Sequence, residues 1–338
     1  IRQHRQPRLD THLSSRIYPT EDGPPRWLRN DPAPVLDALN SVAIPFAWHQ
    51  VETEETIFQW ERHERLLDLA LDLGWHVTGG PLIDFSSSQL PGWLWLWEGD
   101  LNNLASIMCK YVETVVSKYH QQIRRWVICA APNCAQVLRL SGEELLGLTY
   151  RMFDTARQID DSLELVLSLG QPWGEHLSEE PFINAQSPYF FVDTLLRAGG
   201  DHLNAIEVEI VMGPQKRGSF CHDILDVSKI LDLYAFLGLP LHVTLGYPAS
   251  TDADPKADPE LVLSGGHWGE GISEEAQADW ALEMLRLVLA KPFVHSAQWV
   301  HVSDSESHLF PNVGLLDAGG KPRKILSTLK NLREERLK

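Results

Sequence analysis

Residues 124–133 read Arg-Arg-Trp-Val-Ile-Cys-Ala-Ala-Pro-Asn. Trp126 to Cys129 form a compact apolar run containing a β-branched pair, and Pro132 forbids its extension. That pattern predicts a buried parallel strand running straight into a loop. The loop is entered on Ala130 and Ala131, with no charge at all.

Apolar runs of the same kind recur on both sides, at 13–18, 43–48, 75–82, 163–169, 205–211, 240–244 and 297–302. Between them lie helical patterns at 60–73, 101–119, 141–159, 192–197, 220–237, 273–290 and 324–333. Gly74 and Gly238 are placed as helix stops, and Ser141 with Glu144 forms a capping-box signature. About eight strands alternating with helices predict a single-domain α/β fold, the (β/α)8 TIM barrel. Residues 1–25 read as an N-terminal leader and first strand, with 26–338 the remainder of the barrel. No Gly-rich phosphate loop follows the first strand, which weighs against a dinucleotide-binding sheet. An echo between 73–78 and 239–244 falls at two helix-to-strand junctions, where shared local geometry explains it as well as duplication does.

The 338 residues carry 46 Asp plus Glu against 29 Lys plus Arg, a formal charge of −17. Such a field repels phosphate backbones and anionic lipid, so nucleic-acid and membrane-surface partners are disfavoured. No run reaches transmembrane length and no signal peptide is visible. The chain opens on Ile1, which reads as a piece processed from something longer, so other domains of a parent chain are among the expected partners. The cysteines at 109, 129, 134 and 221 have no zinc-like spacing; a Cys129–Cys134 bridge is conceivable. No metal and no cofactor is expected. Asp252, Asp254 and Asp258 lack the glycine and terminal glutamate of an EF-hand and read as a solvated acidic loop.

From the second strand onward the chain resembles glycoside hydrolase family 10, the endo-xylanase family. Phe46-Ala-Trp-His-Gln-Val-Glu-Thr-Glu-Glu with Phe58-Gln-Trp-Glu resembles its "W…(I/V)EPE.G.Y.W" stretch. Gly79-Gly80-Pro81-Leu82 with Pro91-Gly92-Trp93 is similar to "GH.LVW…P.W", and Trp126 to Asn133 to "WDVVNEP(N)". Leu239 to Thr244 resembles "LPI.(I/V)TE.D". Ser303-Asp304, Gly314-Leu-Leu-Asp and Lys321-Pro322 resemble the closing "D…GLL(F)D…PKPA". These landmarks run in order over about residues 40–330.

The resemblance implies a polysaccharide or oligosaccharide ligand, xylan-like, and an extracellular or periplasmic location, because such polymers lie outside the cell. It also locates a break. Retaining glycosidases need two carboxyl groups about 5–5.5 Å apart. The aligned acid/base position is Ala131 and the aligned nucleophile position is Leu245. The Asn before the acid is Ala130. The His and Trp of the third-strand motif are Gly80 and Asp84, and the closing Trp is Val300.

Other polar groups near the strand ends supply an alternative catalytic set, Glu209 with Asp84 or Asp304, where a carboxyl held in a cleft could serve as a general acid. The competing reading, weighted about two to one, is that these carboxylates ion-pair or cap loops. For substrate binding the candidates are Trp48, His49, Trp93, Gln171, Trp173, Glu175 and His301, with His176 also near a strand end. Of twelve tryptophans, Trp27, Trp48, Trp93, Trp95, Trp97, Trp173 and Trp268 fall in or beside loops, and indoles stack on sugar faces while their N–H groups bond hydroxyls. Burial in the core is the equal competitor for Trp93, Trp95 and Trp97. Three functions follow in order: a sugar-binding barrel without the family's hydrolysis, an active hydrolase with relocated carboxylates, and a structural or interaction domain of a larger secreted protein.

Overall fold

A computed structural model describes residues 8–178, 187–199 and 202–337. Most of the expected leader, residues 1–7, lies outside the described residues.

Among the described residues, eight parallel strands form the path of a nine-stranded main sheet: β1 (His12–Ser15), β2 (Ser41–Ile44), β3 (His76–Gly79), β4 (Arg125–Ala130), β5 (Glu164–Leu169), β6 (Ala205–Val211), β7 (Leu241–Gly246) and β8 (Val294–Trp299). Their order in the sheet is β1-β8-β7-β6-β5-β4-β3-β2. A parallel bridge from Arg16 to Ala43 joins the ends of that order, which nearly closes the sheet into the expected barrel. Long helices follow the strands: α1 (Glu61–Asp72), α2 (Leu101–Tyr119), α3 (Gly142–Ile159), α4 (Pro188–Arg197), α5 (Ile224–Ala235), α6 (Glu274–Ala290) and α7 (Lys324–Arg336).

The chain divides into two compact units. One comprises Ile1–Ile44, Arg62–His76 and Glu209–Lys338. Its aromatic core stacks Tyr247 on Trp280 at 5.5 Å and sets Trp280 edge-on to Trp299 at 6.1 Å. The other comprises Pro45–Glu61 and Val77–Val208. There Phe46 packs on Trp126 at 5.6 Å, and Trp48 stacks on Tyr111 at 4.9 Å. Burying aromatic rings of this size removes 150–250 Å² each from water, on the order of several kcal/mol per ring.

Local signals explain most boundaries. Ser141 accepts from the Glu144 N–H while Glu144 returns to the Ser141 N–H, so the capping box fixes the start of α3. Gly74 takes φ 79° just beyond α1, as a helix stop requires.

Several expectations are corrected. The second strand does not run to Trp48. Pro45 has no N–H to continue the ladder, so β2 ends at Ile44 and Trp48–Val51 form a helical turn. The third run breaks at Gly80 and resumes as a short strand, Ile83–Asp84, paired with β4. The tryptophan-rich loop winds into a 3-10 helix, Gly92–Trp97. All four cysteines are free. Cys129 lies inside the buried β4, and Cys134 ends the turn Pro132–Cys134 beyond it; no bridge joins them. The aspartate loop is not wholly solvated either: the Asp254 carboxylate accepts from His308 and from the Asn312 N–H, and Asp258 is buried.

Candidate functional site

The C-terminal ends of β4 and β5 open into two turns of unusual backbone. Ala131 sits in the left-handed region at φ 53°, and Gln171 at φ 45°. Each costs an L-residue about 1–2 kcal/mol, so the surroundings must hold them. The Ala131 N–H donates to the Ser168 carbonyl at 2.8 Å. The Asn133 side chain donates to the Gly170 carbonyl at 2.8 Å and accepts from the Gly170 N–H at 3.2 Å. Non-glycine residues strained in this way cluster at functional sites. The side chain that the Ala131 backbone presents is a methyl group.

The third-strand end is built against a side chain altogether. Gly80 takes φ 96°, and a Cβ there would lie 2.2 Å from the Val127 carbonyl oxygen. No side chain larger than hydrogen fits this backbone. Asp84 is half-buried and accepts from the Ser86 N–H at 3.0 Å.

The expected sugar contacts differ widely in burial. Trp48 is buried at 1% exposure; its indole donates to Glu52 Oε2 at 2.7 Å. Trp48 therefore offers no open face to a ligand, contrary to its assignment as a contact. Trp93 is half-buried, packs edge-on against Trp48 at 5.7 Å, and donates to the Glu52 carbonyl. His49 meets the Gln89 carbonyl through Nδ1 at 3.1 Å. Gln171 and His176 are buried, while Trp173 and Glu175 are half-buried, Glu175 opening the 3-10 turn Glu175–Ser178. Trp95 is more exposed than Trp93 or Trp97.

Glu52 is the residue that sequence reading missed. Its two carboxylate oxygens take the Trp48 indole and the Thr56 N–H, both at 2.7 Å, and its carbonyl takes Trp93. The four-residue spacing from Trp48 across a helical turn was the available signal.

In the other unit, the proposed catalytic carboxylates are occupied. Glu209, 2% exposed, accepts from Arg217 Nε at 2.9 Å on Oε1 and from Arg16 Nη1 at 3.2 Å on Oε2. A carboxylate clamped on both oxygens is placed neither to attack an anomeric carbon nor to pass a proton to a leaving group. Asp304, 1% exposed, accepts on Oδ1 from His301 Nε2 at 2.7 Å and from the Gly314 N–H at 2.8 Å, and its Oδ2 pairs with Arg323. Burial pushes the Asp304 carboxyl up, but the His301 hydrogen bond and the charges of His301, Arg323 and His308 outweigh it and hold it below its ordinary value. His301 is buried behind this carboxylate rather than facing a ligand. Burial, reinforced by the charge of His308, pushes it down to about 4.

His301, Asp304 and His308 each bring a ligand atom within 4.8 Å of the others. Arg323 already supplies Asp304 with a positive partner, and His308 spans from the Glu306 carbonyl to Asp254 through its two ring nitrogens. These contacts make the cluster a hydrogen-bonded ion network. Leu245, at the end of β7, is fully buried.

Comparison with known proteins fits this architecture. Residues 40–168 match the family described as "Glycosyl hydrolase family 10". Xylanase 10B from Thermotoga maritima superposes with a TM-score of 0.68, covering 96% of this chain and 95% of its own at 16% identity. The fold is that of the family 10 xylanases. A Paenibacillus barcinonensis family 10 protein gives the same TM-score at 17% identity, covering 97% and 96%. By sequence, endo-1,4-beta-xylanase B of Thermotoga neapolitana is 24% identical over 302 residues, 86% of this chain and 79% of its own length. Endo-1,4-beta-xylanase 3 of Hypocrea jecorina is 28% identical over 131 residues, about a third of each chain.

Proposed function

We propose that this protein is a family-10-like barrel that binds a xylan-like polysaccharide outside the cell without the family's retaining hydrolysis. One observation carries the reading: the turn at the end of β4 keeps a strained backbone but presents the methyl of Ala131. Leu245 at the end of β7 supports it, since neither residue can donate a proton or attack carbon. Glu209, clamped between two guanidinium groups, gives the relocated chemistry little support.

Half-buried indoles at Trp93 and Trp173 supply stacking surfaces for the polymer. The solved relatives include a xylanase 10B in complex with xylobiose and a xylanase 10C mutant in complex with xylopentaose, which makes xylo-oligosaccharides the first ligands to try.

The test is affinity electrophoresis in xylan gels beside reducing-sugar release at high protein concentration. Retarded migration without sugar release is expected, with the retardation weakened in Trp173→Ala. Sugar release that disappears in Glu209→Gln would overturn the reading and make Glu209 a catalytic carboxylate.

A further inference from the structure

A cleft of about 690 Å³ lies wholly within the first unit, between the segment after β1 and the segment after β8. Trp27 and Glu306 line it together, with Arg26, Asn30, Asp31 and Pro34 around them. Leu316 and Pro322, from the closing motif of the resemblance, also line it, but Arg26, Trp27, Asn30, Asp31, Pro34 and Glu306 belong neither to the quoted motifs nor to the turns described above.

The two central side chains are held from behind. Trp27 sits on the short helix Arg26–Asn30, anchored by the buried Leu28, and its own side chain is half-buried. Its indole nitrogen is buried and has no hydrogen-bond partner among the described residues. Ser305 Oγ donates to Glu306 Oε1 at 2.6 Å, and the Glu306 carbonyl accepts from His308 Nδ1 at 2.7 Å. The loop is thus tied into the buried network of His301, Asp304 and Asp254, which gives the cleft a rigid back wall. Burial pushes the Glu306 carboxyl above its ordinary value despite the hydrogen bonds that work against it.

The chemistry of the wall selects a class of ligand. Arg26, Asn30, Asp31 and Glu306 end in planar groups that can each engage two neighbouring hydroxyls. Acids and bases are mixed around the wall, so a ligand needs no net charge. An indole beside them offers an apolar face, and a pocket with an aromatic surface and a few convergent polar groups is the usual form of a small-ligand site. We propose that this cleft binds one neutral sugar unit, stacked on Trp27 and hydrogen-bonded through Glu306 and Asn30. The ligand class rests on the carbohydrate reading above; the location does not.

The full chain is titrated with xylo-, cello- and manno-oligosaccharides while its indole N–H resonances are followed by NMR. The Trp27 signal is assigned by its loss in Trp27→Phe. The same titration is run on Glu306→Gln, which keeps shape and size, and on Trp173→Ala. Saturable movement of the Trp27 signal, retained in Trp173→Ala and about tenfold weaker in Glu306→Gln, is the expected result. Movement of other indoles with a still Trp27 signal would overturn this site and leave the polysaccharide reading standing. Movement of Trp27 alone, unchanged in Trp173→Ala, would keep this site and remove the Trp173 surface. No movement of any indole with any sugar would overturn both.

Discussion

Arg217 Nε lies 2.9 Å from Oε1 of Glu209, eight residues earlier in the chain. Arg16, from the far end of the sequence, holds the other oxygen, so three charges share one buried position. Breaking such a group leaves uncompensated charge in the interior, at a cost of about 3–5 kcal/mol. Glu209→Ala is expected to lower stability by that amount in urea unfolding. Glu209→Gln, which keeps an acceptor for one guanidinium, should cost less and leave xylan binding intact.

The His301 and His308 rings lie 4.4 Å apart, tilted by 33°, and their pKa values shift in opposite senses. Burial opposes the charged form of His308, but its bonds to Asp254 and the Glu306 carbonyl, with the charge of Asp304, raise it above 6.5. Its contribution is present below the unfolded value and lost as pH rises through the raised one. His301 is lowered to about 4, so the unfolded chain takes up its proton first and stability falls as pH drops from about 6.5 towards 4. Urea midpoints measured from pH 4.5 to 9 should show a flatter alkaline limb in His308→Gln and a flatter acid limb in His301→Gln.

Glu52 should matter to both stability and binding. Removing its carboxylate leaves the buried Trp48 indole without its acceptor, at about 1–3 kcal/mol, while the exposed Thr56 N–H turns to water. Glu52→Ala is expected to melt earlier and to weaken retardation in xylan gels, because Trp93 leans on the same turn. A variant that melts earlier but migrates as wild type would confine Glu52 to a structural role.

Gly80 should tolerate no side chain. Gly80→Ala combines a positive φ with a Cβ 2.2 Å from a backbone oxygen, and strain plus overpacking should cost about 3 kcal/mol or more. Gly74→Ala, where φ is 79° but nothing lies within 4 Å, isolates the backbone part and should cost about 1 kcal/mol. Equal losses in the two variants would contradict the clash.

What the sequence made legible follows the range of the interactions involved. β6 begins and ends where its apolar run does, at Ala205 and Val211, and the Ser141–Glu144 box sets the start of α3, because both signals are local. Trp48 was misplaced for the opposite reason. An indole in a loop and an indole under a loop look alike in sequence, and only the Glu52 contact tells them apart. Glu209 stands out in the sequence as a carboxylate near a strand end, but its partner Arg16 lies 193 residues away, and no local pattern predicts such a pairing. Asp254 and His308, 54 residues apart, were lost to the same cause.

The left-handed turn at Ala131 has a use independent of what this chain binds. Its N–H is pinned to Ser168, and the neighbouring Asn133 clamps Gly170, so the direction of the Cα–Cβ bond is set before any chemistry is chosen. For a protein engineer that is a pre-aimed socket: whatever group is installed there inherits an orientation already secured by the main chain, and the design problem shrinks from placing a residue to choosing one.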